Sequence, residues 1–249
     1  MPSPKDLAHA MERGRVVPEG GGERFAGYGI LGLSFDSGHV LAFRRMTASS
    51  LGLPYTTVWH RDPGGLWTLY GDVEPDRACP RYFGEALQRV VEEDVELGWE
   101  GDLEVSVRVP EVRLQWGIRL RGDALTVGLS AGGRILPGAL WERERVLGML
   151  GRLGGRILGE GNLALAGTSP NGQRFWMAPR VLWRVGASAA LLDGQDLGDV
   201  APRPDQLRLG DLRIPKRGIL AFGEAGFEPV APDPKREPTC FQEVGRSSD

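Results

Sequence analysis

Apolar and polar residues alternate with a period of two along much of this chain, which predicts a mainly β protein. The pattern is clearest from Val90 to Ala131. Val95, Leu97 and Trp99 alternate with charged or small residues. Leu103, Val105, Val107 and Val109 alternate with Glu104, Ser106 and Arg108, and Leu114, Trp116, Ile118 and Leu120 with Gln115, Gly117 and Arg119. Leu125, Val127 and Leu129 close the set. Successive side chains of a strand point to opposite faces, so each segment turns one face inward and one to water. The short turns between them predict an antiparallel meander of four strands.

Upstream, residues 25–35 and 40–46 flank Asp36-Ser37-Gly38, and residues 55–61 and 66–71 flank Asp62-Pro63-Gly64-Gly65. Proline presets φ for a turn and glycine supplies positive φ without steric cost, so both pairs read as hairpins. Downstream, strands are expected at 162–167, 174–177, 181–190 and 218–222, with Ser169-Pro170-Asn171-Gly172 as another turn. The segment 58–67 is echoed at 165–176, which suggests two copies of one β unit.

Two stretches follow a helical period instead. Residues 5–13 place Leu7, Ala10 and Met11 on one side. Residues 137–158 carry apolar positions at 140, 147, 150 and 157, with Arg143, Arg145, Arg152 and Arg156 supplying charge. Gly151, Gly155 and Gly159 lie four apart on that helix. Such a stripe lets a backbone approach closely, at about 1 kcal/mol per glycine in helix propensity. The helix suits plugging a barrel or bridging two sheets; an amphipathic lid or membrane-surface helix is the functional alternative.

The organisation expected is therefore a helix and Gly-rich loop (1–24), a first β unit (25–133), a linking helix (134–160), a second, smaller β unit (161–228) and a loose tail (229–249). The fold class is mainly β: an antiparallel calycin- or lipocalin-like barrel or barrels, as two tandem units linked by one helix.

Composition narrows the function classes. Apolar residues make up 41% and charged residues 25%, ordinary for a folded protein. A net charge of −3 lacks the basic excess of a nucleic-acid protein. Only Lys5, Lys216 and Lys235 are lysines, a bias that a GC-rich genome produces. Cys79 and Cys240 offer neither a disulfide framework nor a CxxC metal pair. The N-terminus lacks the apolar run of a signal peptide, and no stretch reaches the roughly 18 uncharged residues of an integral membrane segment. A cytoplasmic protein is expected.

Gly27-Tyr28-Gly29-Ile30-Leu31-Gly32 matches GxGxxG, but a dinucleotide loop needs a strand before it and a helix after it. Here a Gly-rich loop precedes it and a strand and turn follow. No phosphate loop, HExxH or GxSxG occurs, and with His9 in the N-terminal segment only His39 and His60 remain as histidine ligands, so no metal or cofactor is indicated. The stretch 55–82 is the richest chemically. His60 is its one neutral-pH general base, with Asp62 or Asp72 to orient it. Trp59, Tyr70, Arg81 and Tyr82, with Trp116 and Trp176 further along, could line an apolar pocket and donate hydrogen bonds. Strand alternation sends Trp59 and His60 to opposite faces.

The Trp-containing hairpin at 58–67, the meander 95–129 with Trp116 and Leu120, and the turn at 169–172 together resemble the lipocalin-like two-barrel family of carotenoid hydratases, tocopherol cyclase and AttH-type bacterial proteins. An uncharacterised bacterial family of that architecture is an equal label. The resemblance spans residues 25–228 and implies two calycin-like barrels around a cavity for a hydrophobic or isoprenoid-like molecule. The expected function is binding of a small apolar or amphipathic molecule, with conversion, if any, by cofactor-independent hydration, cyclisation or isomerisation. The rival expectation is a scaffold protein with filled barrels, associating through the Gly-striped helix 137–158. Oligomeric state is left open.

Overall fold

The computed structural model describes residues 2–228, and their long strands join into one sheet. Helix α1 (Pro4–Gly14) opens the chain on a capping box, in which Ser3 and Asp6 satisfy each other's backbone N–H groups. Four strands follow: β1 (Glu23–Ser34), β2 (Val40–Ser49), β3 (Tyr55–Arg61) and β4 (Trp67–Gly71). A covering segment contains the one-turn helix α2 (Pro80–Phe83). Then come β5 (Arg89–Glu92), β6 (Glu96–Gly101), β7 (Glu104–Val109) and β8 (Leu114–Arg121). Helices α3 (Ala124–Ile135) and α4 (Glu144–Leu158) precede β9 (Ala166–Thr168), the long β10 (Arg174–Leu192) and the short β11 (Gln195–Asp196). A small hairpin of β12 (Arg208–Leu209) and β13 (Leu212–Arg213) leads to β14 (Ile219–Glu228).

The main path of the sheet runs β5-β4-β3-β2-β1-β14-β10-β8-β7-β6. The β4–β5 pairing is parallel and the others antiparallel, so the sheet is mixed, contrary to the antiparallel expectation. It curls into a half-barrel: β5 and β6 remain its two edges, and the described residues do not form two closed barrels. β14 and β10, expected in the second β unit, lie between β1 and β8 of the first. That insertion depends on pairing across most of the chain, which no local pattern reports.

Residues 124–135 correct the expected fourth meander strand. Leu125 and Leu129 are also four apart, a helical spacing, and the cap decides between the two periods. Asp123 accepts from the Thr126 N–H at 2.8 Å, and the Thr126 hydroxyl accepts from the Asp123 N–H at 2.9 Å. The expected helix 137–158 begins only at Glu144. Residues 174–177 and 181–190 form one strand with a bulge near Arg180. The expected tail, 229–249, lies outside the described residues. Among the described residues no helix is long and apolar enough to cross a membrane.

The centre of the half-barrel's hollow is packed, while clefts of about 570 and 420 Å³ open on the same face beside and beneath α1. Phe43 on β2 and Trp116 on β8 are far apart along the sheet, yet their rings meet edge to face at 5.8 Å. Tyr28 stacks on Phe222 at 5.0 Å, and Trp116 donates from Nε1 to the Ser188 hydroxyl at 2.8 Å. Ile30, Val107, Leu120 and Trp183 fill the remainder, with Leu7 and Met11 of α1 packed against them.

The outer face carries a second cluster around Phe25, Tyr55, Trp59, Trp67, Tyr82, Phe83 and Phe175. The glycine stripe of α4 is covered by the chain itself. A Cβ on Gly151 or Gly155 would run into the carbonyl oxygens of Leu163 and Gly161. Gly159 ends the helix at φ 71°, where a side chain would be strained. The stripe is therefore an internal packing surface, and the face of the helix left open for association is the one bearing Met149, Leu153 and Ile157.

Candidate functional site

The sequence-selected residues divide between the two faces of the sheet. His60 is buried and follows Val58, which belongs to the filled hollow, whereas Trp59 belongs to the outer cluster. His60 Nε2 lies 2.8 Å from His39 Nδ1, and the two rings stack at 5.1 Å. Burial, then the neighbouring His39, push the His60 imidazole down to about 4. Asp62 does not orient it. Its carboxylate accepts from the Leu66 N–H at 2.8 Å and shapes the hairpin turn. Tyr70 and Trp116 face the same packed hollow. Trp176 packs in a third cluster with Trp141, Leu147 and Leu165, beneath the Arg24 guanidinium. Only Trp59, Tyr82 and Arg81 gather near one another. Trp59 touches Phe83 at 5.4 Å, Tyr82 stacks on Phe227 at 3.5 Å, and both Arg81 and the Tyr82 hydroxyl bind Glu23.

A groove runs along the outer face, built by the alternation of β1, β2, β10 and β14. Register places Gly29 beside Arg44 and Ala221, Gly27 beside Met46 and Gly223, and Phe25 beside Ala225. The floor is small because the strongly curled backbone leaves no room there. A Cβ on Gly27, Gly29 or Gly223 would run into the carbonyl oxygen of Arg45, Phe43 or Ala178. The GxGxxG glycines thus belong to a bent strand.

At one end the groove opens into an apolar chamber of about 330 Å³ beneath α3 and α4. Leu129, Leu136, Leu150, Leu158 and Leu163 line it, and Arg213 is the charged residue in its wall. The chamber shares Leu31, Met177, Pro179 and Ala221 with a middle section of about 90 Å³ over the glycine floor. That section shares Phe25, Arg44, Met46 and Ala225 with a recess of about 40 Å³ lined by Tyr55, Cys79, Tyr82 and Phe83.

Arg44 projects into the groove where the last two sections meet. The residue is 7% exposed and forms no ion pair with any described residue. Its Nη1 donates to Cys79 Sγ at 3.6 Å, and its Cζ lies 4.4 Å over the Trp59 ring and 5.6 Å from that of Phe83. Cys79 also contacts the Tyr55 and Thr57 hydroxyls, each at 3.8 Å. Burial, then the adjacent Cys79, push the Tyr55 phenol well up, so it stays a neutral hydrogen-bonding group. Burial and Glu23 likewise push Tyr82 up.

Two larger concavities, of about 570 and 420 Å³, lie beside and beneath α1, and each holds a half-buried ion pair. The cleft beside α1 holds the Glu12–Arg45 pair at 2.8 Å, and the one beneath α1 holds Arg180–Glu224 at 3.1 Å. Among the described residues no group of three or more ligating side chains could hold a metal.

Sequence reasoning passed over Arg44. The available signal was the Arg44-Arg45 pair inside a strand that otherwise reads as buried. Arg45 reaches Glu12 on α1; Arg44 points the other way and has no such partner among the described residues.

The chain matches no protein-family model and no curated protein. Among solved structures, the crystal structure of acetoacetate decarboxylase from Legionella pneumophila subsp. pneumophila str. Philadelphia 1 superposes with a TM-score of 0.37 at 12% identity. The superposition covers 85% of this chain and 88% of that one.

Proposed function

We propose that this protein binds a small amphipathic organic anion along the outer face of its sheet. The apolar body occupies the chamber beneath α3 and α4, and the anionic head meets Arg44. Arg44 carries the proposal. A buried ion costs several kcal/mol in lost hydration. Each aromatic face returns about 2 kcal/mol but accepts no N–H···O hydrogen bond, so the guanidinium still favours an anion. Its forked donors match a carboxylate. The chamber, at about 330 Å³, holds a small ligand. An isoprenoid or fatty acyl chain, the class suggested by the lipocalin-like resemblance, is the apolar body proposed here. His60 and Asp62 lie outside this site, and the proposal is one of binding.

Glycines on the helices support the same reading. A Cβ on Gly128, Gly132 or Gly154 would meet nothing within 4 Å, and all three line the chamber. Packing does not require glycine there, and each costs about 1 kcal/mol in helix propensity. What they provide is open volume.

Calorimetric titration with decanoate and with decanol tests the proposal on the wild type, Arg44→Met and Arg213→Met. Decanoate is expected to bind the wild type and to lose about ten- to a hundredfold in affinity on Arg44→Met, the worth of a charged hydrogen bond. Equal affinity of the wild type for decanol, or unchanged decanoate binding by Arg44→Met, would overturn it.

A further inference from the structure

The roof of the chamber has an outer surface of its own. On α4, Met149, Leu153 and Ile157 recur every four residues and are exposed, Met149 and Leu153 to 55% each. Beside them Arg145, Arg152 and Arg156 form a second exposed stripe on the same helix. On α3, Val127 and Ile135 are exposed, Ile135 to 80%, with Arg134 next to it. Monomeric surfaces scatter single apolar residues; here five lie on the two helices that roof the chamber, with a cationic border.

Charge on this roof opposes that of the whole chain. Residues 124–159 carry five arginines and two glutamates, while the full chain is net −3. Both glutamates are turned to sheet arginines: Glu144 binds Arg174 at 2.7 Å and Glu142 binds Arg24 at 3.4 Å. Arg134, Arg143, Arg145, Arg152 and Arg156 form no ion pair with a described residue, so the outward field is cationic. Gly128 and Gly132 are exposed and also line the chamber, so the chamber reaches the surface through this patch.

We propose that α3 and α4 together dock on an anionic lipid surface, with the apolar stripe entering the headgroup boundary and the arginines pairing with lipid phosphates. Amphipathic helices bind membranes by this combination of buried apolar area and electrostatic attraction. The chamber mouth then faces the acyl region, from which the apolar ligand enters without crossing water. The ligand route rests on the binding proposed above; the docking itself does not.

Co-sedimentation of the full chain with vesicles tests it. One set contains phosphatidylcholine alone, the other phosphatidylcholine with phosphatidylglycerol. Binding is expected to the anionic vesicles, weakened by salt and by about fivefold for each of Arg152→Glu and Arg156→Glu. Leu153→Glu, at an exposed position, abolishes it while circular dichroism shows the fold retained. Arg44→Met, which disables the ligand site alone, still sediments with anionic vesicles, so the two proposals fail separately. Failure to bind anionic vesicles, equal binding to both sets, or insensitivity to the arginine reversals would overturn docking. So would a concentration-dependent dimer, abolished by Leu153→Glu, in the absence of vesicle binding; the occupant would then be a second copy.

Discussion

The two faces of one sheet are built from the same strands and are opposite in kind. On β1, Tyr28 and Ile30 enter the hollow and are buried at 5% and 0% exposure, while Gly27 and Gly29 form the bare floor of the groove. On β2, Phe43 packs against Trp116 inside, while the next residue, Arg44, presents outside a charge that no described residue pairs. The centre of the hollow, where a barrel protein would hold its ligand, is filled by its own side chains, and its open clefts lie at the rim beside α1. The outer face, normally left to water, is roofed by helices and left partly empty. A curled sheet therefore need not place a site by its concavity; the proposed site falls where large side chains are withheld.

The contrast can be tested most strongly from inside. Trp116→Ala opens the hollow and is expected to cost about 3–5 kcal/mol in chemical denaturation, with decanoate affinity of the folded protein unchanged. A ligand effect there would mean the hollow takes part in binding.

Next in size is the response to acid. Burial and His39 hold His60 down to about 4, against 6.5 when unperturbed, so the unfolded chain takes up its proton first. His60's contribution is fully present above about pH 6.5 and is lost as pH falls towards 4, by on the order of 3 kcal/mol at most. Urea midpoints should fall across that window in the wild type and flatten in His60→Gln, without a change in ligand affinity.

On the outer face, Gly29→Ala drives a Cβ into the Phe43 carbonyl and should destabilise by about 1–3 kcal/mol. Gly154→Ala has the opposite sign. With nothing within 4 Å of the added Cβ, it should stabilise α4 by about 1 kcal/mol, read as a higher melting temperature. If both behaved alike, the distinction between a packed floor and an open roof would be lost.

The β character and most strand positions were legible from residue patterns. Tyr55–Arg61 is a strand at the expected boundaries, and the opposition of Trp59 and His60 followed from alternation alone. The candidate site was legible only at its edge. Tyr82 lines the recess and Trp59 lies beneath Arg44, but Tyr70, His60 and Trp116 serve the hollow. Residue type could not separate these aromatics, because the burial that makes a core also makes a pocket.

By itself, then, the sequence determined what is local: the period-two strands, the proline and glycine turns, the capped N-terminus of α1 and the cationic, apolar-striped helix α4. Only the tertiary structure decided that β14 and β10 enter the middle of the sheet, that the hollow closes on Phe43 and Trp116, and that among the described residues Arg45 has a carboxylate partner and Arg44 none. Alternation and capping act over a few residues. The order of strands, the curl of a sheet and the neutralisation of a charge depend on which distant segments arrive beside it.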